Sequence, residues 1–322
     1  METAAAPPPR PGERPALRGR RRALAGHFAM LGFSALVAFS FTFGGLIARD
    51  IDPGVLTAAR FIIAIVVMGA LALVLGQSLT PVGRRPWRWM VIGGLMAVYF
   101  ILMFEALRLT SPIATAAIFT LTPLMAAGLG LGINGTRTGG YAILALVIGA
   151  LGALWVIFRA DLARALAFDL GRGEAIFLIG AVCHAAVPAM TRRLAPDTTP
   201  LQAAFGVLCG AVVVTCVYAA PRALATDFTA MGPMVWAVIL YLAIFATALT
   251  FFLIQVAIPR LSPGKVMAYT YLVPSWVLLH ALVMGGSEPA LIYGGIGLTL
   301  VALILLLTED LAVPEPGPAP PA

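Results

Sequence analysis

Ten stretches of about 20 apolar residues, separated by short polar connections, run through almost the whole chain, and no other feature narrows its fold so sharply. A helix of that length crosses a hydrocarbon layer of roughly 30 Å. Within such a layer no water serves the peptide groups, so each stretch must satisfy its own backbone hydrogen bonds. The stretches fall at 24–47, 55–76, 88–107, 112–132, 139–158, 173–191, 201–220, 233–256, 264–284 and 290–307. With 61% hydrophobic and 11% charged residues among 322, a single soluble core could not hide this surface. The mean hydropathy of +0.97 says the same. The chain is predicted to be an all-α membrane protein of ten transmembrane helices.

A repeat organises them. The segment SPIATAAIFTLTP (Ser111 to Pro123) returns 151 positions later as SPGKVMAYTYLVP (Ser262 to Pro274), with Ser, Pro, Ala, Leu and the closing Pro in the same places. Pro53 and Pro200 likewise open the second and seventh stretches, where proline suits a first helical turn. Five stretches precede residues 159–172 and five follow, so the second copy enters the membrane from the opposite side. The repeats are therefore inverted, an arrangement that places a shared cavity between halves and suits alternating access. The expected organisation is a basic, disordered tail at 1–22, a first repeat at 23–158, an outer linker at 159–172, a second repeat at 173–308 and a Pro-rich, disordered tail at 309–322. In the linker, Leu162, Leu166 and Leu170 lie four apart, as in a short helix on the membrane surface.

Charge orients the bundle, because Lys and Arg collect in short cytoplasmic loops. With the N-terminus inside, fourteen of the twenty-one Lys and Arg residues fall on the inner side, six on the outer side, and Arg60 within a stretch. Both termini are expected to be cytoplasmic. The net charge of +7 is largely this signal, and without an interleaved aromatic surface it calls for no nucleic-acid partner.

Ionisable residues at membrane depth are costly and mark function. Arg60 and Glu105 lie at similar depth from the outer side, so they are candidates for a mutual bridge, for anchoring an anion (Arg60) or for proton coupling (Glu105). Val207 occupies the place of Arg60 in the second half. Pro123 and Pro274 are expected to bend their helices and free a backbone carbonyl toward a substrate path. Around Pro274, Tyr269, Thr270, Tyr271, Gln255 and Trp276 offer hydroxyls, an amide and aromatic faces suited to a mainly apolar metabolite. His184 and His280 are further path candidates. Gly128, Gly130 and Gly132, with Gly294, Gly295 and Gly297, permit close helix approach. Cys183, Cys209 and Cys216 form no CxxC pair and read as small apolar fillers, so no metal is expected. No HExxH, GxSxG or GxxxxGK[ST] motif is present, which argues against an enzyme, a cofactor or an ATP-driven pump.

The ten stretches in two halves, Arg60, the segment FEALRLTSPIATAAIFTLTP and the closing GGSEPALIYGGIGLTLVALILL resemble the drug/metabolite transporter superfamily, EamA type. Ala106-Leu107, Thr110-Ser111 and Pro123 match its pattern at the third and fourth helices, and Ser262 and Pro274 match the second-half counterpart. The family's Gly-Glu turn is kept near Gly286-Ser287-Glu288, whereas the first half has Asn134-Gly135-Thr136-Arg137. The resemblance implies a bacterial-type inner-membrane secondary transporter, proton- or exchange-coupled, whose partners are the lipid bilayer and a small molecule. An amino acid or related compound, with efflux favoured, is the expected cargo. Uptake of a vitamin or nucleotide-like compound is the second expectation, and a non-transporting membrane sensor or assembly protein the alternative from another class.

Overall fold

Prolines open the same helices in both halves. In the structure, a computed structural model describing residues 15–158, 161–163, 170–287 and 290–312, Pro53 and Pro200, Pro86 and Pro233, and Pro112 and Pro263 each begin a helix. At a first turn the missing amide hydrogen costs nothing, and the preset φ assists nucleation. Side-chain caps reinforce these starts: Asp52 accepts from Gly54 N and Val55 N, Ser111 from Ala114 N, and Thr199 forms a reciprocal pair with Gln202.

The described helices, numbered here along the chain, are α1 (Pro15–Ile47), α2 (Pro53–Val74), α3 (Pro86–Leu107), α4 (Pro112–Asn134), α5 (Gly140–Ile157), α6 (Arg172–Leu194), α7 (Pro200–Leu224), α8 (Pro233–Ala257), α9 (263–283) and α10 (Ile292–Ala312). A single helical turn, Thr80–Gly83, joins α2 to α3. Eight of the ten are long and apolar enough to cross a membrane, and α5 and α10 are shorter apolar helices in the fifth and tenth places. No strand occurs among the described residues. The chain is an all-α membrane bundle in which α1 to α5 and α6 to α10 are inverted repeats.

The packing follows the repeat. α3 lies along α6 and α7; correspondingly α8 lies along α1 and α2. Three helices pack on their own counterparts: α2 on α7, α4 on α9 and α5 on α10. Each contact maps onto another, or onto itself, when five is added to both helix numbers.

Two expectations change. Helix α1 starts at Pro15, so residues 15–22, expected in an unfolded tail, are helical. Ala, Leu and Arg are good helix formers, and extension of an existing helix needs no new nucleus. The close-approach glycines are also only partly those expected. A Cβ on Gly128, Gly132, Gly294 or Gly297 would meet nothing within 4 Å. Instead Gly93 of α3 and Gly210 of α7 bring two backbones into contact, and a Cβ at Gly210 would overlap the Trp89 carbonyl. Gly295 does serve this purpose: its Cβ would lie 2.7 Å from Gly152 O, and one on Gly152 would lie 2.6 Å from Gly295 O. Residues 309–312, expected in the other tail, likewise continue α10, and the remaining tail residues and Leu166 lie outside the described residues.

Gly210→Ala is expected to force α3 and α7 apart and to cost about 1–3 kcal/mol of stability, as overpacking does. Gly294→Ala, facing open space, should leave stability within about 0.5 kcal/mol. Thermal unfolding of the two variants in detergent compares them directly.

Candidate functional site

Three helices are interrupted within their spans, and the interruptions cluster where the halves meet. α4 breaks between Pro112–Phe119 and Thr122–Asn134. α9 passes through a 3₁₀ turn, Tyr269–Leu272, between Pro263–Ala268 and Val273–Val283. Pro123 strips the donor that the Phe119 carbonyl would receive, and Thr122 Oγ1 replaces it at 2.7 Å. The same Thr122 hydroxyl lies 3.2 Å from that of Thr270, so the two breaks touch across the molecule. The third interruption contains no proline: residues Ile244–Leu249 of α8 form a π turn. Its widened geometry exposes carbonyls to side chains, and Leu242 O accepts from Thr247 Oγ1 at 2.7 Å and from Arg60 Nη2 at 3.2 Å.

Beside these breaks lies a narrow cavity of about 20 Å³, room for about one water molecule, walled by both halves. From the first half it is lined by Phe33, Val37 and Ser40 of α1 and by Met96, Tyr99 and Phe100 of α3. From the second half come His184 and Val187 of α6, Val207 of α7, and Ala246, Thr250, Phe251, Ile254 and Gln255 of α8. The walls are mostly apolar and aromatic, the usual make-up of a small-molecule site. Two polar atoms in them, Ser40 Oγ and His184 Nδ1, are buried without a hydrogen-bond partner. Such groups are costly unless something pairs with them. The His184 ring sits 4.6 Å from Tyr99 and 4.8 Å from Phe119, which ties the cavity to the α4 break. Pro188, one turn on, removes the donor for the His184 carbonyl. Gln255 also lines a second hollow, with Thr191, Arg192, Ala203 and Ile258, toward the face where α1 begins.

The residues singled out by sequence divide accordingly. His184 and Gln255 line the cavity. Pro123 and Pro274 are buried at the joined breaks. Tyr269, Thr270, Tyr271 and Trp276 are instead engaged with neighbouring helices. The Tyr269 hydroxyl bonds His27 Nδ1 at 2.9 Å, Tyr271 donates to Leu146 O at 3.1 Å, and Trp276 Nε1 donates to Ser34 Oγ at 3.3 Å. The Tyr271 ring also fills the space beside Gly149, where a Cβ would overlap it. His280 stands edge-on to Phe39 and Phe43 at 5.5 and 5.6 Å. Arg60 and Glu105 do not bridge. Glu105 pairs with Arg108 at 3.5 Å on a partly exposed rim that includes Arg49 and Arg172. Arg60 is wholly buried against α8.

Sequence reasoning passed over Ser40, Tyr99, Phe100 and the π turn. The first two carried a usable signal, a hydroxyl inside an apolar span. The π turn carries none of the usual break residues.

Inverted five-helix halves around a shared interior cavity define a membrane carrier. A model of the EamA-like transporter family matches residues 24–158 and again residues 171–308, and the chain belongs to that family. Over 296 residues, 90% of this chain and 95% of the relative, it is 26% identical to the uncharacterized transporter YyaM of Bacillus subtilis (strain 168). A solved crystal structure shares the fold at a TM-score of 0.68 and 20% identity, covering 91% of this chain and 99% of the other.

Tyr271→Phe is expected to lower stability by about 1 kcal/mol, the worth of its bond to Leu146 O, while leaving transport rates unchanged. Paired thermal unfolding and flux measurements on this variant separate packing from a role in the path.

Proposed function

We propose that this transporter moves a small organic metabolite by alternating access, the two halves rocking about the cavity between them, with proton or exchange coupling. The observation that carries this reading is a cavity lined by both repeats and holding unpartnered polar atoms, Ser40 Oγ and His184 Nδ1. A sensor or assembly factor has no need of a hollow at the junction of two inverted units. The charge bias supports cytoplasmic termini in a bacterial-type inner membrane, with the α1 start on the cytoplasmic face. The hollow beyond Gln255 then leads from the cavity toward the cytoplasm. Amino acids or related compounds are the favoured cargo and efflux the favoured direction.

Flux in proteoliposomes against a metabolite panel, with and without a proton gradient, tests this reading. Substrate-dependent flux is expected, and its absence in folded protein would overturn the proposal. Gln255→Ala should raise KM about five- to tenfold, as loss of one hydrogen bond worth about 1–1.5 kcal/mol does.

Glu105→Gln distinguishes the coupling modes. Loss of gradient-driven accumulation with exchange intact assigns proton coupling to Glu105, whereas unchanged gradient dependence removes it from the mechanism.

A further inference from the structure

Arg60 is a cation buried in the bundle among neutral groups. Its Nε donates to Thr247 Oγ1 at 2.7 Å, and its Nη2 donates to Ala246 O at 2.9 Å and to Leu242 O at 3.2 Å. The Phe100 and Phe104 rings cover the guanidinium at 4.2 and 5.5 Å. No carboxylate is among these partners. The ionisable side chains acting on it are Tyr99 and Tyr241, both neutral phenols at physiological pH. Nη1 is buried with no partner. A guanidinium does not shed its proton to escape such a site, so the charge stays and is costly at membrane depth.

Its position ties that charge to the cavity. Ala246 and Phe100, both in contact with Arg60, are themselves cavity-lining residues. Val207, which holds the equivalent place in α7, lines the cavity directly. Arg60 thus stands one residue layer behind the wall, screened by the Phe100 ring. Among the described residues, no Asp, Glu or Lys lines the cavity. Its immediate surroundings therefore offer an anion one counter-charge and a cation none.

Resting on the transport reading above, we infer that the cavity takes a small organic anion, a carboxylate on an apolar or aromatic body. As the halves part and the narrow cavity widens, the body packs against Phe33, Tyr99 and Phe251, its polar substituents meet Ser40, His184 and Gln255, and the carboxylate reaches Arg60 Nη1 past a displaced Phe100 ring. A charge-assisted bond from Nη1 to the carboxylate offsets the uncompensated charge and satisfies the orphan donor together.

Three probes sharing one ring and differing in charge test this on the purified full-length protein at pH 7: phenylacetate, phenylacetamide and phenethylammonium. The acid is expected to bind at least tenfold more tightly than the amide, and the ammonium most weakly. Arg60→Gln should bring the acid-to-amide ratio close to one, and Arg60→Lys should keep part of the preference. Because Arg60 also holds the π turn, Phe100→Ala gives a second arm with the cation intact. It should strengthen acid binding about threefold or more relative to the amide. Amide or ammonium binding equal to the acid, lost in Gln255→Ala, would overturn the anion assignment and leave the cavity reading standing. Failure of all three probes would overturn the assignment as well. An acid preference unaffected by Arg60→Gln, Phe100→Ala and Gln255→Ala would overturn both.

Discussion

Backbone hydrogen bonding without water is the constraint from which the rest of this structure follows. Within a bilayer a helix that breaks must have its freed carbonyls answered by another protein group. In α4 the answer is local, since Thr122 supplies to Phe119 O the donor that Pro123 removed. In α8 it comes from both halves: Arg60 of α2 and Thr247 within the turn itself serve the carbonyls of the π turn. Each repair also pins two elements together. The breaks are therefore where the halves are joined, and the cavity lies beside those joints.

Much of the architecture was legible in the chain because its causes are one-dimensional. Apolar run length sets the number of helices, and the spacing of Ser111 to Pro123 and Ser262 to Pro274 reveals the repeat. An odd count per repeat makes it inverted. The meeting of the two breaks, through Thr122 and Thr270, follows from the same symmetry. His184 and Gln255 could be found as polar groups in apolar spans, and both line the cavity.

What could not be read depends on helix rotation. Tyr269, Thr270 and Tyr271 offer path-like chemistry, yet their hydroxyls meet His27, Thr122 and Leu146. Sequence spacing tells which residues share a face and leaves open whether that face meets a cavity or another helix. Glycines show the same limit. Gly294 and Gly295 are neighbours, but only Gly295 faces a backbone. The π turn was hidden because Ile244–Leu249 contains no proline or glycine, and its stabilising partner, Arg60, is almost two hundred residues away in sequence.

The bare glycine contacts carry a mechanical consequence. Gly93 against Gly210 joins α3 to α7, and Gly152 against Gly295 joins α5 to α10, so both contacts link the first half to the second. Side chains close in around each of them, the Trp89 ring over Gly206 at the first and Trp155 and Val156 beside Gly295 at the second. Each contact is thus a fixed spacer: the distance between the halves is set by two backbones and cannot be tuned by changing a side-chain size at either glycine without forcing the halves apart.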